Sequence, residues 1–215
     1  MTGAVTGPTL SADHSVGIAV TRTSPSTFHT GIVYRYLGKV YLFHQAWHNK
    51  TEHGEFDQAV AGLGGKTLVV SLRMLEERES AVTEFLKLLS DNTPCYRYSL
   101  RYDPDSRLLP TGEFQSMVTA GLTCSNFVLA VFHTCQSFLI DYDEWPDATG
   151  EDREFQSKLV AWIEISDPDH AAQVSTEIGC KRIRPDQVGG TGYFDEWPVA
   201  FEEANLAASE IVKRI

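Results

Sequence analysis

One thiol and two imidazoles in this chain occur in contexts that suit nucleophilic chemistry. A cysteine becomes a useful nucleophile when its thiolate is stabilised, and the commonest devices are the positive end of a helix and a neighbouring imidazolium. The first device is implied for Cys124. From there Cys124, Phe127, Val128, Val131, Phe132 and Cys135 recur at steps of three and four, which places all six on one helix face. Thr123, following Gly121-Leu122, caps that helix and sets Cys124 in its first turn. His29 and His44 offer the second device. They belong to two aromatic, β-branched runs that break at Leu37-Gly38, and in such a hairpin the start of one strand lies across from the end of the other. One histidine can then take the thiol proton while the other orients its ring.

The plainer readings are a core thiol for Cys124 and a strand-edge histidine bonded to backbone for His29. His48 and Gln45 stand close enough to His44 in sequence to serve in its place. His44, His48 and His53 also raise a metal site, but their stretch reads as strand followed by loop and no carboxylate or thiol completes the set. No metal and no cofactor is expected. The other cysteines, Cys95, Cys135 and Cys180, form no CxxC pair and read as core or loop residues, with free thiols throughout. Cys135 lies about three helical turns from Cys124, too far for a disulfide that would make a redox sensor. His133 and His170 read as solvated helix residues. Tyr34 and Trp47, with Thr123, are the candidates for lining a substrate groove.

The elements that must position these groups follow from periodicity. Strands are expected at Val16 to Thr21, His29 to Tyr36, Lys39 to Trp47, Thr67 to Leu72 and Tyr96 to Tyr102. Helices are expected at Leu75 to Leu89, from Thr123 onward, Glu154 to Ile165, Asp169 to Ile178 and Val199 to Ile215. The stretch from Asp103 to Gly112 reads as a loop able to act as a flap over the site. Asp143-Glu144-Trp145-Pro146 recurs as Asp195-Glu196-Trp197-Pro198; the flanks differ, so each is read as an independent helix entry with Pro in the first turn. The expected architecture is α+β, one domain over residues 1–215, with a loose terminus over 1–14 and a helical extension over 143–215.

The order of these segments resembles a known branch of enzymes. Phe28-His29-Thr30-Gly31-Ile32-Val33-Tyr34 opens one strand, Val40-Tyr41-Leu42-Phe43-His44 follows on the next, and Gly121-Leu122-Thr123-Cys124-Ser125-Asn126-Phe127-Val128 opens a later helix. This is similar to the circularly permuted branch of the NlpC-type, papain-like superfamily, which includes permuted amidases and the lecithin retinol acyltransferase-like enzymes. The resemblance implies a small antiparallel sheet packed against the helix that carries the cysteine. It also implies Cys124 as nucleophile, His29 as general base and His44 as the orienting third residue. The activity implied is a cysteine hydrolase of amide bonds, a peptidase or amidase passing through a thioacyl intermediate. The alternatives are acyl transfer of the lecithin retinol type, where Thr123 stands in place of the acyltransferases' Asn, and a non-catalytic interaction module that keeps the fold.

Composition narrows the partners. Net charge is −11, with 18 basic against 29 acidic residues, so the chain lacks the positive surface that phosphate backbones and anionic lipid require. A peptide or other amide-containing substrate is expected, with no nucleic acid and no membrane anchor. There is no run of about 18 apolar residues and no basic-then-apolar start, which together suggest a cytoplasmic protein. No GxGxxG, phosphate-loop or GxSxG pattern is present, which leaves nucleotide-dependent and serine-hydrolase chemistry without residues to perform it.

Overall fold

A computed structural model describes residues 6–215 and gives an α+β architecture built on one six-stranded antiparallel sheet. Five of its strands are β1 (Thr6–Gly7), β2 (Val16–Arg22), β3 (Phe28–Tyr36), β4 (Lys39–Trp47) and β5 (Lys50–Glu55). Helix α1 (Phe56–Leu63) then leads to β6 (Lys66–Ser71), and the strand order is β1-β6-β2-β3-β4-β5. The β3–β4 hairpin closes where the sequence breaks, with Leu37 at φ 48° and Gly38 at φ 79°, the pair of positive φ angles that tight hairpin turns need.

Alternation along the strands separates two cores. Ile32, Tyr34 and Phe43 join the main core, while Val33 and Leu42 join a smaller one under α1. The main core lies beneath α2 (Glu76–Asp91), α3 (Cys124–Thr134), α6 (Pro185–Gly190) and α7 (Phe201–Arg214). Outside it, α4 (Gly150–Ser166) and α5 (Pro168–Ser175) pack on each other around Leu159, Ile163, Ala171 and Val174.

Several expectations are corrected here. Residues 143–215 are no appendage: Val188, Ala204, Ala207 and Ile211 are buried in the main core. Helix α6 was not expected from its glycines, yet a Cβ at Gly189 would sit 2.3 Å from Val20 Cγ2, so the missing side chain is what lets this helix lie on the sheet. Of the loose terminus, residues 1–5 lie outside the described residues. The remainder is tied down: β1 pairs with β6, Leu10 is buried, and the Ser11 amide donates to Ser71 Oγ. Val199, just after the second Trp-Pro segment, forms a bridge with Ile140, three residues before the first, and α4 and α7 begin beyond the prolines.

Tyr96 to Tyr102 is extended but is not a strand. Its backbone is satisfied by other means: the Tyr98 and Leu100 amides donate to His48 Nδ1 and the Glu177 carboxylate, and His170 Nε2 donates to the Tyr98 carbonyl. The expected flap contains β7 (Arg107–Leu108), which pairs with β8 (Phe114–Gln115) and binds the C-terminal end of α3 through Arg107 to His133 and Leu108 to Thr134. Cys124 is at the other end of that helix, about 16 Å away for its length, so this segment does not cover it. His133 and His170 are buried, not solvated.

Candidate active site

Helix α3 begins at Cys124 because Thr123 is extended and its side chain accepts the Asn126 amide, the arrangement that satisfies one of the free N–H groups of a helix start. The helix is buried along almost its whole length, so its first turn is held rigidly. The Cys124 sulfur is buried, and it meets polar groups there. The Thr30 amide and the Tyr98 hydroxyl both stabilise its charged form, as do the Ser125 amide and hydroxyl. Burial outweighs them and pushes the thiol above its ordinary range.

The Thr30 amide is free to do this because the β3–β4 ladder ends at Ile32 and Phe43. Beyond that pair the backbone of β3 turns an N–H toward the helix start. His29 is the preceding residue, and by strand alternation its side chain leaves the opposite face. The Cys124 sulfur on α3 thus meets the strand at its Thr30 amide, whereas the His29 and His44 side chains leave the face of Val33 and Leu42, away from that of Ile32 and Phe43.

His29 Nε2 and His44 Nδ1 are 2.8 Å apart, with the rings edge-on at 79°. The approach depends on Gly31, where a Cβ would stand 2.7 Å from His44 Cβ. Burial lowers the pKa of His29 from 6.5 to about 4, opposed by the nearby charge of Glu52. His44 is lowered to about 4 as well, by burial first and then by His29, with Glu52 opposing. Both rings are therefore neutral at neutral pH, and the thiol is protonated there.

Of the alternatives for the third residue, the other two are committed elsewhere. Gln45 Nε2 donates to the Trp47 and Tyr96 carbonyls, and His48 bridges the Tyr98 amide and Asp167. His53 bonds the Tyr34 hydroxyl, so the three histidines considered for a metal turn to three different partners.

A cavity of ≈ 300 Å³ borders Cys124. Thr123 lines it. Tyr34 does not, being fully buried in the main core. Trp47 stands behind the wall, its ring 5.1 Å from that of Tyr98, which itself lines the cavity. Phe28, Leu100, Phe155 and Ile183 make the apolar part of the wall. Arg182, stacked 3.7 Å over the Phe155 ring and paired with Asp152, and Arg184, paired with Asp186, make its polar rim.

Two residues of the site escaped sequence reasoning. Tyr98 reaches Cys124 from an extended segment whose position is set by side-chain bonds, which no periodicity reveals. Glu52 faces His44 directly across the β4–β5 ladder, and the signal for it was available in the register of a third strand after the turn at Asn49. Comparisons with family profiles, with curated proteins and with solved structures gave no match to this chain. No helix among the described residues is long and apolar enough to cross a membrane.

Proposed function

We propose that this chain is a cysteine-dependent amidase or peptidase of the permuted papain-like type, with Cys124 as nucleophile, His29 as base and His44 as the residue that orients it. The observation that carries the reading is the 2.8 Å bond between His29 and His44, placed one residue from the backbone amide that meets the Cys124 sulfur. Because Nε2 of His29 is engaged with His44, Nδ1 is the nitrogen left to accept a proton.

The chemistry then runs from neutral partners. As Cys124 Sγ bonds to the carbonyl carbon of a substrate amide, the thiol proton moves to His29, and the carbonyl oxygen becomes an oxyanion beside the Cys124 N–H and the Tyr98 O–H. When the C–N bond breaks, His29 returns the proton to the departing amine, leaving a thioester. Water attacks that thioester, gives a proton to His29, and releases the carboxylic acid and the thiol. The apolar wall of the cavity suits a hydrocarbon side chain next to the scissile amide, with polar groups of the substrate reaching the arginine rim.

The test is site-resolved alkylation by iodoacetamide near neutral pH, followed by mass spectrometry of each cysteine peptide. Burial pushes both thiols up; Cys124 is nevertheless expected to react faster than Cys135, and His29→Ala is expected to remove that advantage. If Cys124 reacts no faster than Cys135 and His29→Ala changes nothing, the enzyme reading fails.

A further inference from the structure

We propose that Glu52 is a positioning residue that extends the His29–His44 line to the protein surface, fixing which nitrogen of His29 is left bare. The inference rests on the reading of His29 as the base for Cys124.

The argument is one of donors and acceptors. A neutral imidazole has one N–H and one bare nitrogen. The 2.8 Å contact between His29 Nε2 and His44 Nδ1 needs a proton on one of those two atoms only. Two arrangements satisfy it. In the first, His29 carries its proton on Nε2 and donates, so its Nδ1 is bare and can act as a base. In the second, His44 donates from Nδ1, His29 Nε2 accepts, and the His29 proton sits on Nδ1, where it blocks proton uptake.

His44 decides between them through its other nitrogen. In the first arrangement His44 bears its proton on Nε2. That atom is buried and has no hydrogen-bond partner, but Glu52 Oε2 lies 3.6 Å from it. A carboxylate is an acceptor only, so it favours the tautomer with a proton facing it. In the second arrangement a bare nitrogen would face a carboxylate, and their lone pairs would repel. Glu52 thereby selects the state in which His29 can act.

The register makes the contact possible: His44 and Glu52 are opposite one another in the β4–β5 ladder. It also explains why the gap is longer than a hydrogen bond. Lys50 holds the same carboxylate through Oε1 in an ion pair. The charged or titratable groups acting on His44 are therefore His29, Glu52 and Lys50, and Lys50 competes with His44 for Glu52. Because the bond to Lys50 holds the Glu52 carboxyl below its ordinary range, with burial opposing, it stays charged at neutral pH and this selection operates there.

The competition gives two variants with opposite expected signs. Glu52→Leu removes the acceptor and the charge; it is expected to slow alkylation of Cys124 by about 3- to 5-fold, the scale of a half-exposed ion pair. Lys50→Met releases Glu52 toward His44 and is expected to speed the reaction by about 2-fold on the same scale. Nitrogen-15 NMR of the full-length protein reads the tautomers directly. Wild type and Lys50→Met should show His29 protonated on Nε2, whereas Glu52→Leu should show a mixture. An unchanged tautomer and rate in Glu52→Leu, or a loss of rate in both variants, overturns the assignment of Glu52 while His29→Ala still slows the thiol. If His29→Ala has no effect either, the cysteine-histidine reading itself fails.

Discussion

Two pairs of neighbouring imidazoles lie in this fold, and they are bonded in different ways. His29 and His44 meet edge-on and share a hydrogen bond between ring nitrogens. His48 and His170 are stacked, with centroids 5.1 Å apart at 29°, a geometry in which neither nitrogen points at the other ring. Each holds one side of Tyr98, His48 accepting its amide and His170 donating to its carbonyl, while His48 Nε2 also meets Asp167. Burial lowers the pKa of members of both pairs, so depressed basicity does not separate them. Commitment of the nitrogens does. His48 and His170 each hold backbone of Tyr98, whereas the bond between His29 and His44 joins side chains alone.

The largest expected consequence concerns the first pair. His29→Ala should slow alkylation of Cys124 by about 100-fold or more, the usual contribution of a positioned base, as measured on the isolated Cys124 peptide. The second pair should respond in stability. His48→Ala leaves the buried Tyr98 amide without its acceptor and is expected to cost about 1–3 kcal/mol, read from urea unfolding midpoints with unchanged slope. Should His48→Ala depress thiol reactivity as far as His29→Ala does, the division of labour between the pairs is wrong.

What the sequence revealed follows the same division. Elements made by local pattern were legible: the β3–β4 hairpin fell within one residue of its expected ends, and the spacing from Cys124 marked α3 and its Thr123 cap. His44 was correctly placed across from the start of β3 because a hairpin fixes register. Features held by distant side chains were not legible. Tyr96 to Tyr102 alternates like a strand, but its amides go to His48 and to Glu177, residues far away in sequence. Helix α6 carries adjacent glycines of poor helix propensity, and they lie tightly against Val20 of the sheet and Ala207 and Ile211 of α7. Tyr34 was taken for a groove residue because aromatic strands are ambiguous in sequence; which face meets α3 is settled only by packing.

An effect on the same scale is expected at the glycine that lets the first pair form. In Gly31→Ala the new methyl would stand 2.7 Å from His44 Cβ and 3.0 Å from the Phe43 carbonyl oxygen, and the backbone oxygen cannot swing aside. The cost should be about 1–3 kcal/mol, as for other overpacked sites, together with a loss of His29–His44 coupling seen as two independent imidazole titrations by NMR. The stacked pair has no such dependence on a small neighbour. Equal chemical shifts for His29 and His44 in both proteins would mean that the contact tolerates displacement and is not held by close packing.

The gentlest test uses pH alone. His29 and His44 each titrate at 6.5 when unfolded and at about 4 when folded, so between those values the unfolded chain binds more protons. Folding stability from this source is complete above pH 6.5 and declines as pH falls toward 4. Carboxylates that favour the folded state add their own loss below about pH 5, which makes the interval from 6.5 to 5 the one to measure. Urea unfolding across that interval should show stability falling with acidity in the wild type. His44→Asn removes one of the two titrating rings and should flatten the decline, whereas Glu52→Leu, by removing a charge that supports both imidazolium forms, should lower the folded pKa values and extend it to more acidic pH. A wild-type stability that is level from pH 6.5 to 5 would mean that the rings reach protons without unfolding, and the edge-on pair would then be no more sheltered than a surface histidine.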